Sequence, residues 1–118
     1  MLIRGRRQRV AARGGAFVTN WNEERQVKFE WDDEKAVANL EKYGVSFGEA
    51  TEVFYDPNAL EGEDAEHSHD EARFFIIGYS TSRMLFVVFA ERRDDVIRII
   101  SARPPTSAER KLYEEQER

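Results

Sequence analysis

Alternation and helical spacing divide the chain into elements. Val27, Phe29 and Trp31 fall on one side of a short stretch and Lys28 and Glu30 on the other, the period-two pattern of a strand with one buried face. Asp32-Asp33-Glu34 interrupts it, and these acids suit the first turn of a helix, where unpaired N–H groups and the positive dipole end favour carboxylates. Ala36, Leu40 and Tyr43 follow at helical spacing, and Gly44 supplies the stop. Ser46 opens a second helix. With Glu49 three residues on it reads as a capping box ahead of an apolar stripe of Phe47, Ala50, Val53 and Phe54, and Asp56-Pro57 ends it.

Residues 58–71 are acid-rich and read mainly as a solvated loop, although Ala59-Leu60-Glu61 could start a strand. Three apolar runs come next, Ala72 to Tyr79, Met84 to Glu91 and Val96 to Arg103, joined by short polar connectors, which makes an antiparallel meander. Large apolar residues occupy both faces of these runs (Phe74 and Phe75, Val87 and Val88, Ile99 and Ile100), so the sheet centre should be covered on both sides, once by the helical pair. After Pro104-Pro105, Thr106 can cap a last helix over Ser107 to Glu117; its sparse apolar set, Ala108, Leu112 and Tyr113, makes it marginal unless it docks. From Met1 to Gln26 no period is sustained. We expect residues 1–26 to be a flexible basic extension ahead of an α+β domain over 27–118.

Composition narrows the chemistry. A chain of 118 residues suits one domain, and 41% hydrophobic with 35% charged is too apolar for disorder yet leaves few wholly interior segments. With no cysteine there is no disulfide framework, thiolate nucleophile or sulfur-based zinc site. No apolar run approaches the roughly 18–20 residues of a membrane helix, and no secretory pattern follows the basic N-terminus; a soluble cytoplasmic protein is expected. Residues 1–26 hold six Arg and two acids, whereas 27–118 hold twelve Lys/Arg and twenty-one acids, so the formal net charge of −5 hides a body near −9. Such a body does not coat nucleic acid through its overall field. Any RNA contact must use a few placed arginines.

No glycine-rich phosphate loop, nucleophile elbow or zinc spacing occurs, and neither a cofactor nor a metal is expected. His67 and His69 stand near Asp70 and Glu71 on the acidic loop. Solvent-facing histidines are the plain reading; His67 as an acid for a leaving group, or as part of a metal site, are the sharper ones.

Charge inside the strands is the informative oddity: Arg73, Glu91, Arg98 and Arg103 sit within or beside runs that bury both faces, where such residues need partners. A tip at Arg93-Asp94 sets Arg98 opposite Phe89, with Glu91 diagonal to Arg98. A three-residue loop Ser80-Thr81-Ser82 sets Arg73 opposite Phe89 as well, giving one row of Arg73, Phe89 and Arg98; a one-residue slip would send Arg73 to the other face. Arg103 has the wrong parity for that row in a regular strand. A structural salt bridge of Glu91 is the bland account, but one acid among three arginines leaves positive charge over. Fixed guanidiniums bind phosphate bidentately and bases stack on rings, so the row also suits a phosphodiester with Phe89 beneath a base.

The words Phe29-Glu30-Trp31-Asp32, Glu34-Lys35-Ala36, Gly44-Val45-Ser46-Phe47 with Glu49-Ala50, Val53-Phe54 with Asp56-Pro57, Arg73-Phe74, Val87-Val88-Phe89, Glu91-Arg92 and Ile97-Arg98 through Arg103, in this order over roughly 27–117, resemble BrnT toxins. The resemblance implies a RelE-like fold with two helices on an antiparallel sheet and a C-terminal helix. It implies a metal-independent endoribonuclease that blocks translation, neutralised by a BrnA-like ribbon-helix-helix antitoxin through which operator DNA is bound. It favours Arg73, Glu91, Arg98 and Arg103 as the active-site set. Phe89, His67 and Tyr113 are expected to contact substrate, with core packing the alternative for Tyr113. Two departures stand out. Pro104-Pro105 replaces a basic or small pair, and Val27 lies where family members begin, so residues 1–26 are a possible over-extension of the start. A degenerate toxin that only holds its antitoxin is the rival reading, and the intact charged set argues against it.

Overall fold

The computed structural model describes residues 2–6, 27–68, 71–93 and 95–116. In chain order these form β1 (Leu2–Arg6), β2 (Lys28–Glu30), α1 (Asp33–Tyr43), α2 (Phe47–Glu52), a 3-10 turn (Val53–Tyr55), β3 (Leu60–Glu63), a 3-10 turn (Ala65–His67), β4 (Phe74–Tyr79), β5 (Met84–Glu91), β6 (Val96–Arg103) and α3 (Ser107–Glu114). The strands make one sheet in the order β1-β3-β4-β5-β6-β2. The α+β class and the β4-β5-β6 meander are as expected. The sheet is mixed rather than antiparallel, because β2 runs parallel to β6, with Phe29 opposite Ile97 and Glu30 opposite Arg98. Its register opposite Ile97 puts Phe29 on the helix side, edge-on to Phe54 at 5.3 Å between centroids.

Two further strands join the sheet, one where the sequence offered only a strand start at Ala59-Leu60-Glu61 and one where it shows no strand period. Leu60–Glu63 pairs β4 with Leu60, Glu61 and Gly62 buried, so part of the expected solvated loop is interior. Its outer backbone edge is taken by Leu2–Arg6, antiparallel and bulged at Arg4, which corrects the expectation of irregular chain for that segment. An open strand edge gains ladder hydrogen bonds from any extended segment in reach, whatever its side-chain pattern. The remainder of the basic extension, residues 7–26, lies outside the described residues.

All three helices start as read, and α1 also stops as read. Asp32 accepts from the N–H groups of Glu34 (2.9 Å) and Lys35 (3.1 Å), and Gly44, at φ 71°, donates to the Leu40 carbonyl at 2.8 Å. The buried face of α1 differs from the stripe expected: Leu40 is exposed and Asn39 is buried. The Asn39 amide donates to the carbonyls of Val45 (3.0 Å) and Ala102 (2.8 Å) and its oxygen accepts from Ala102 N–H (3.1 Å), which offsets the cost of burying a polar group.

The sheet has two unequal covers. On one side α1 and α2 enclose a continuous core that includes Val45, Phe47, Val53, Phe54, Ile76, Val87, Phe89, Ile97 and Ile99. On the other, α3 covers a smaller cluster of Phe75, Ile77, Met84, Phe86 and Tyr113. The last helix ends earlier than expected and is docked: Tyr113 is 8% exposed and its hydroxyl donates to Asp56 Oδ2 at 2.8 Å. Asp56 also accepts from Tyr79 N–H at 2.8 Å. Gly78 permits that approach, because a Cβ there would lie 3.1 Å from Asp56 Oδ2 and from Val53 Cγ1.

Candidate active site

Strand register decides which charges share a face, and both hairpins are one residue off the expected pairing. In the first, Tyr79 pairs Met84 across a four-residue connector closed by Ser80 N–H to Arg83 carbonyl at 2.8 Å. In the second, Arg92 N–H donates to the Val96 carbonyl at 2.8 Å and Asp95 takes the left-handed conformation at φ 45°, a three-residue loop instead of two. Phe89 therefore faces Ile99, and Ala90 faces Arg98. Beyond them a bulge intervenes: Val88 pairs Ser101 and Phe86 pairs Arg103, leaving Ile100 as the extra residue.

That bulge reverses the parity objection to Arg103. Ala90 and Phe86 lie on the same side of β5, so their partners Arg98 and Arg103 share a face despite the odd spacing between them. Phe75 pairs Val88, also on that side, and Arg73 precedes Phe75 by two residues. All three arginines belong to the face that α3 only partly covers.

Arg73 and Arg103 both line a cleft of about 400 Å³, together with the apolar Phe75, Phe86 and Val88 and the acids Asp64 and Glu109. Arg73 is held through its backbone: its N–H donates to Ser68 Oγ (2.9 Å) and its carbonyl accepts from Asp64 N–H (2.8 Å). Among the described residues none forms a hydrogen bond or ion pair with its guanidinium. Arg103 is fixed at its tip. The guanidinium lies 4.2 Å from the Phe86 ring centroid, Phe86 stacks on Phe75 at 5.2 Å, and the Glu109 carboxylate receives Nη1 at 2.8 Å and Nη2 at 2.9 Å. Glu109 also accepts from Thr106 N–H (2.9 Å) while Thr106 Oγ1 accepts from Glu109 N–H (3.1 Å), a closed capping box at the start of α3. Hydrogen bonding to Glu109 raises the Arg103 pKa against the opposing effect of burial. Burial pushes the Glu109 carboxyl up, but the hydrogen bonds from Arg103 and Thr106 together outweigh it and leave the pKa below the usual glutamate value.

The remaining expected residues scatter. Arg98 lies outside this cleft, its Nη1 3.2 Å from Glu30 Oε2. Glu30 is also 3.5 Å from Arg92 Nε, and Arg92 Nη1 is 3.3 Å from Glu71. Glu91 pairs Ile97, a residue of the helix-side core, and lies exposed at the strand end beside a second cleft of about 650 Å³ with Glu30, Glu71 and Arg92. The diagonal Glu91–Arg98 arrangement is thus replaced by Glu30–Arg98. Phe89 is corrected outright: it is 0% exposed on the helix side, edge-on to Phe54 at 5.0 Å, where no base can reach it. Phe86 occupies the place in the cleft assigned to it. Tyr113 takes its alternative role as a packing residue. His67 ends the second 3-10 turn, and its side chain, like the whole of His69, lies outside the described residues.

The sequence reading missed Glu30, Phe86 and Glu109. Only Glu109 left a signal, as the fourth residue of Thr106-x-x-Glu109; its partner Arg103 lies before the prolines, outside any helical spacing rule. Chemically, two cations over an aromatic floor suit an oxyanion next to a planar ring, the elements of a nucleotide.

A family model described as "Ribonuclease toxin, BrnT, of type II toxin-antitoxin system" matches residues 31–109, more than half of the chain. The crystal structure of the Brucella abortus ribonuclease toxin BrnT is similar in fold: 70% of this chain aligns with 100% of that one at a TM-score of 0.52 and 20% sequence identity. No curated protein matches the chain in sequence.

Proposed function

The chain belongs to the BrnT family of ribonuclease toxins of type II toxin–antitoxin systems, and from that premise we propose that it cleaves RNA without a metal, at the cleft between Arg73 and Arg103. In this reading the ribose 2′-oxygen attacks the adjacent phosphorus. The 2′-O–P bond forms, the P–O5′ bond breaks, one proton leaves the 2′-hydroxyl and one reaches the departing 5′-oxygen. The products are a 2′,3′-cyclic phosphate and a 5′-hydroxyl.

Charge builds on the phosphoryl oxygens in the transition state, and the two guanidiniums supply the stabilising cations. The Phe75–Phe86 stack below them gives a neighbouring base a surface, and Arg98, on the same face and steadied by Glu30, extends the cationic track along β6. Glu91 stands apart from the Arg73–Arg103 pair, so its loss is expected to reduce cleavage without abolishing it. The observation that carries the reading is the joint placement of Arg73 and Arg103 over an aromatic floor on the less covered face. A BrnA-like ribbon-helix-helix antitoxin is the proposed partner, carrying any operator contact, with the cytoplasm as the place of action. None of the described helices is long and apolar enough to cross a membrane.

The test is incubation of the antitoxin-free protein with a defined single-stranded RNA in excess EDTA, beside Arg73→Ala and Arg103→Ala. Cleavage by the unaltered chain alone, with cyclic phosphate ends, is the expected result. Absence of cleavage alongside tight antitoxin binding would mean a binding module, or a toxin that needs the ribosome.

A further inference from the structure

We infer that Glu109 is a positioning residue whose carboxylate occupies the end of the Arg103 guanidinium and leaves the Nε–Nη2 edge as the fork that grips a phosphate. The inference rests on the proposed cleavage site and specifies how one of its cations is presented.

Donor counting carries it. A guanidinium has five N–H donors in a fixed plane. Glu109 takes one from Nη1 (2.8 Å) and one from Nη2 (2.9 Å), and the Pro104 carbonyl takes a second from Nη1 at 3.1 Å. What remains is Nε–H and the other Nη2–H, and among the described residues neither has a further partner. These two point in parallel, and such a pair receives two oxygens of one phosphate. Phe86 supports one face of the plane, so rotation out of it is hindered from below while the carboxylate fixes it at the end.

The carboxylate is itself anchored. Its acceptance from Thr106 N–H ties it to the first turn of α3, and Tyr113 ties that helix to Asp56 at the other edge of the face. The Arg103 side chain is 29% exposed and that of Glu109 15%, so the pair is half-shielded and still reachable by a ligand. A lysine at position 103 could accept neither arrangement, having one rotating ammonium and no second edge.

The experiment compares the unaltered protein with Glu109→Gln, Glu109→Ala, Arg103→Ala and the double variant Arg103→Ala/Glu109→Ala, with Glu49→Ala as a control helix-start acid. Three readouts are taken: kcat and KM on single-stranded RNA, affinity for a 2′-O-methyl RNA oligonucleotide that cannot be cleaved, and Tm. Losing the orientation of one group should lower kcat roughly 10- to 100-fold in Glu109→Ala. Glutamine, which can accept at only one atom, should fall between. The double variant should be no worse than Arg103→Ala, because an effect that travels through Arg103 vanishes with it. Additive losses in the double variant, or unchanged kcat in Glu109→Ala, would overturn the inference.

Affinity for the methylated oligonucleotide separates this inference from the reading beneath it. If the unaltered chain does not cleave, the cleavage site fails as proposed; affinity that still drops in Glu109→Ala, and is no lower in the double variant than in Arg103→Ala, keeps the phosphate fork. Affinity indifferent to both residues sinks the fork as well.

Discussion

The two helix starts Ser46-x-x-Glu49 and Thr106-x-x-Glu109 carry the same motif and do different things with it. At α2, Ser46 caps the Glu49 N–H at 3.0 Å, but the glutamate turns away from the cap to accept from Ser80 Oγ (2.7 Å) and from Arg83 Nε (3.1 Å) and Nη2 (2.8 Å). Arg83 Nη2 also donates to the Gly44 carbonyl at 2.8 Å. That carboxylate uses up the same guanidinium edge that Arg103 keeps open, and the result is a brace between α2 and the β4–β5 connector. At α3 the box closes and the glutamate takes the opposite end of its arginine. Which edge of the guanidinium an acid occupies separates a brace from a presented cation.

The strongest way to break this contrast is at the arginines. Arg103→Ala should lower kcat/KM roughly 100- to 1,000-fold, the scale for removing one oxyanion donor, with Arg83→Ala unchanged in the same assay. Equal losses in both would remove the distinction. Next comes stability. Glu49→Ala should cost about 1 kcal/mol, kept small because the Arg83 side chain is 41% exposed, and calorimetry should show a Tm lower by several degrees with cleavage per folded molecule intact.

Removing the caps sharpens the same point. Ser46→Ala and Thr106→Ala should each cost about 1 kcal/mol in denaturant titration. Only Thr106→Ala, which loosens the first turn holding Glu109, should also slow RNA cleavage. The smallest effect is on pH. Hydrogen bonding to Arg83 holds the Glu49 pKa below its ordinary value, and Glu109, though raised by burial, is also held low by its partners. A carboxyl depressed on folding contributes stability that is full above the unfolded value of 4.5 and declines as pH falls through the folded one. Acid titration of Glu49→Gln and Glu109→Gln should each flatten the stability curve in that range; a curve as steep as that of the unaltered chain would contradict the assigned partners.

Both caps, the three meander strands and the helical pair were readable because each is written in local spacing: alternation in β4 to β6, Asp32 and Gly44 at the ends of α1, Thr106 before α3. The parallel partner of β2 was not, since nothing in a strand's own alternation encodes its neighbour's direction. Leu2–Arg6 was missed, and Leu60–Glu63 was read only as far as a strand start at Ala59-Leu60-Glu61, because pairing of this kind satisfies backbone groups and asks little of side chains. In the cleft, the residue types were legible and the grouping was not. One extra residue in each connecting loop sent Phe89 to the core and left Phe86 beside Arg103, and no propensity rule resolves a single residue of loop length.

Ile100 gives that lesson an engineering form. The bulge works as a phase shifter: upstream of it β6 sends odd-numbered side chains to the helices, downstream even-numbered ones, so that Ala102 faces inward and Arg103 outward. Asn39 reads the outcome, clamping both the N–H and the carbonyl of Ala102 from the opposite layer. Deleting Ile100 would ask the protein to choose between keeping that clamp and keeping its ladder. A one-residue deletion here is therefore a swap of inside for outside over the last turn of the sheet, and homologous strands can be aligned meaningfully only if their lengths are counted from the clamp and not from the hairpin.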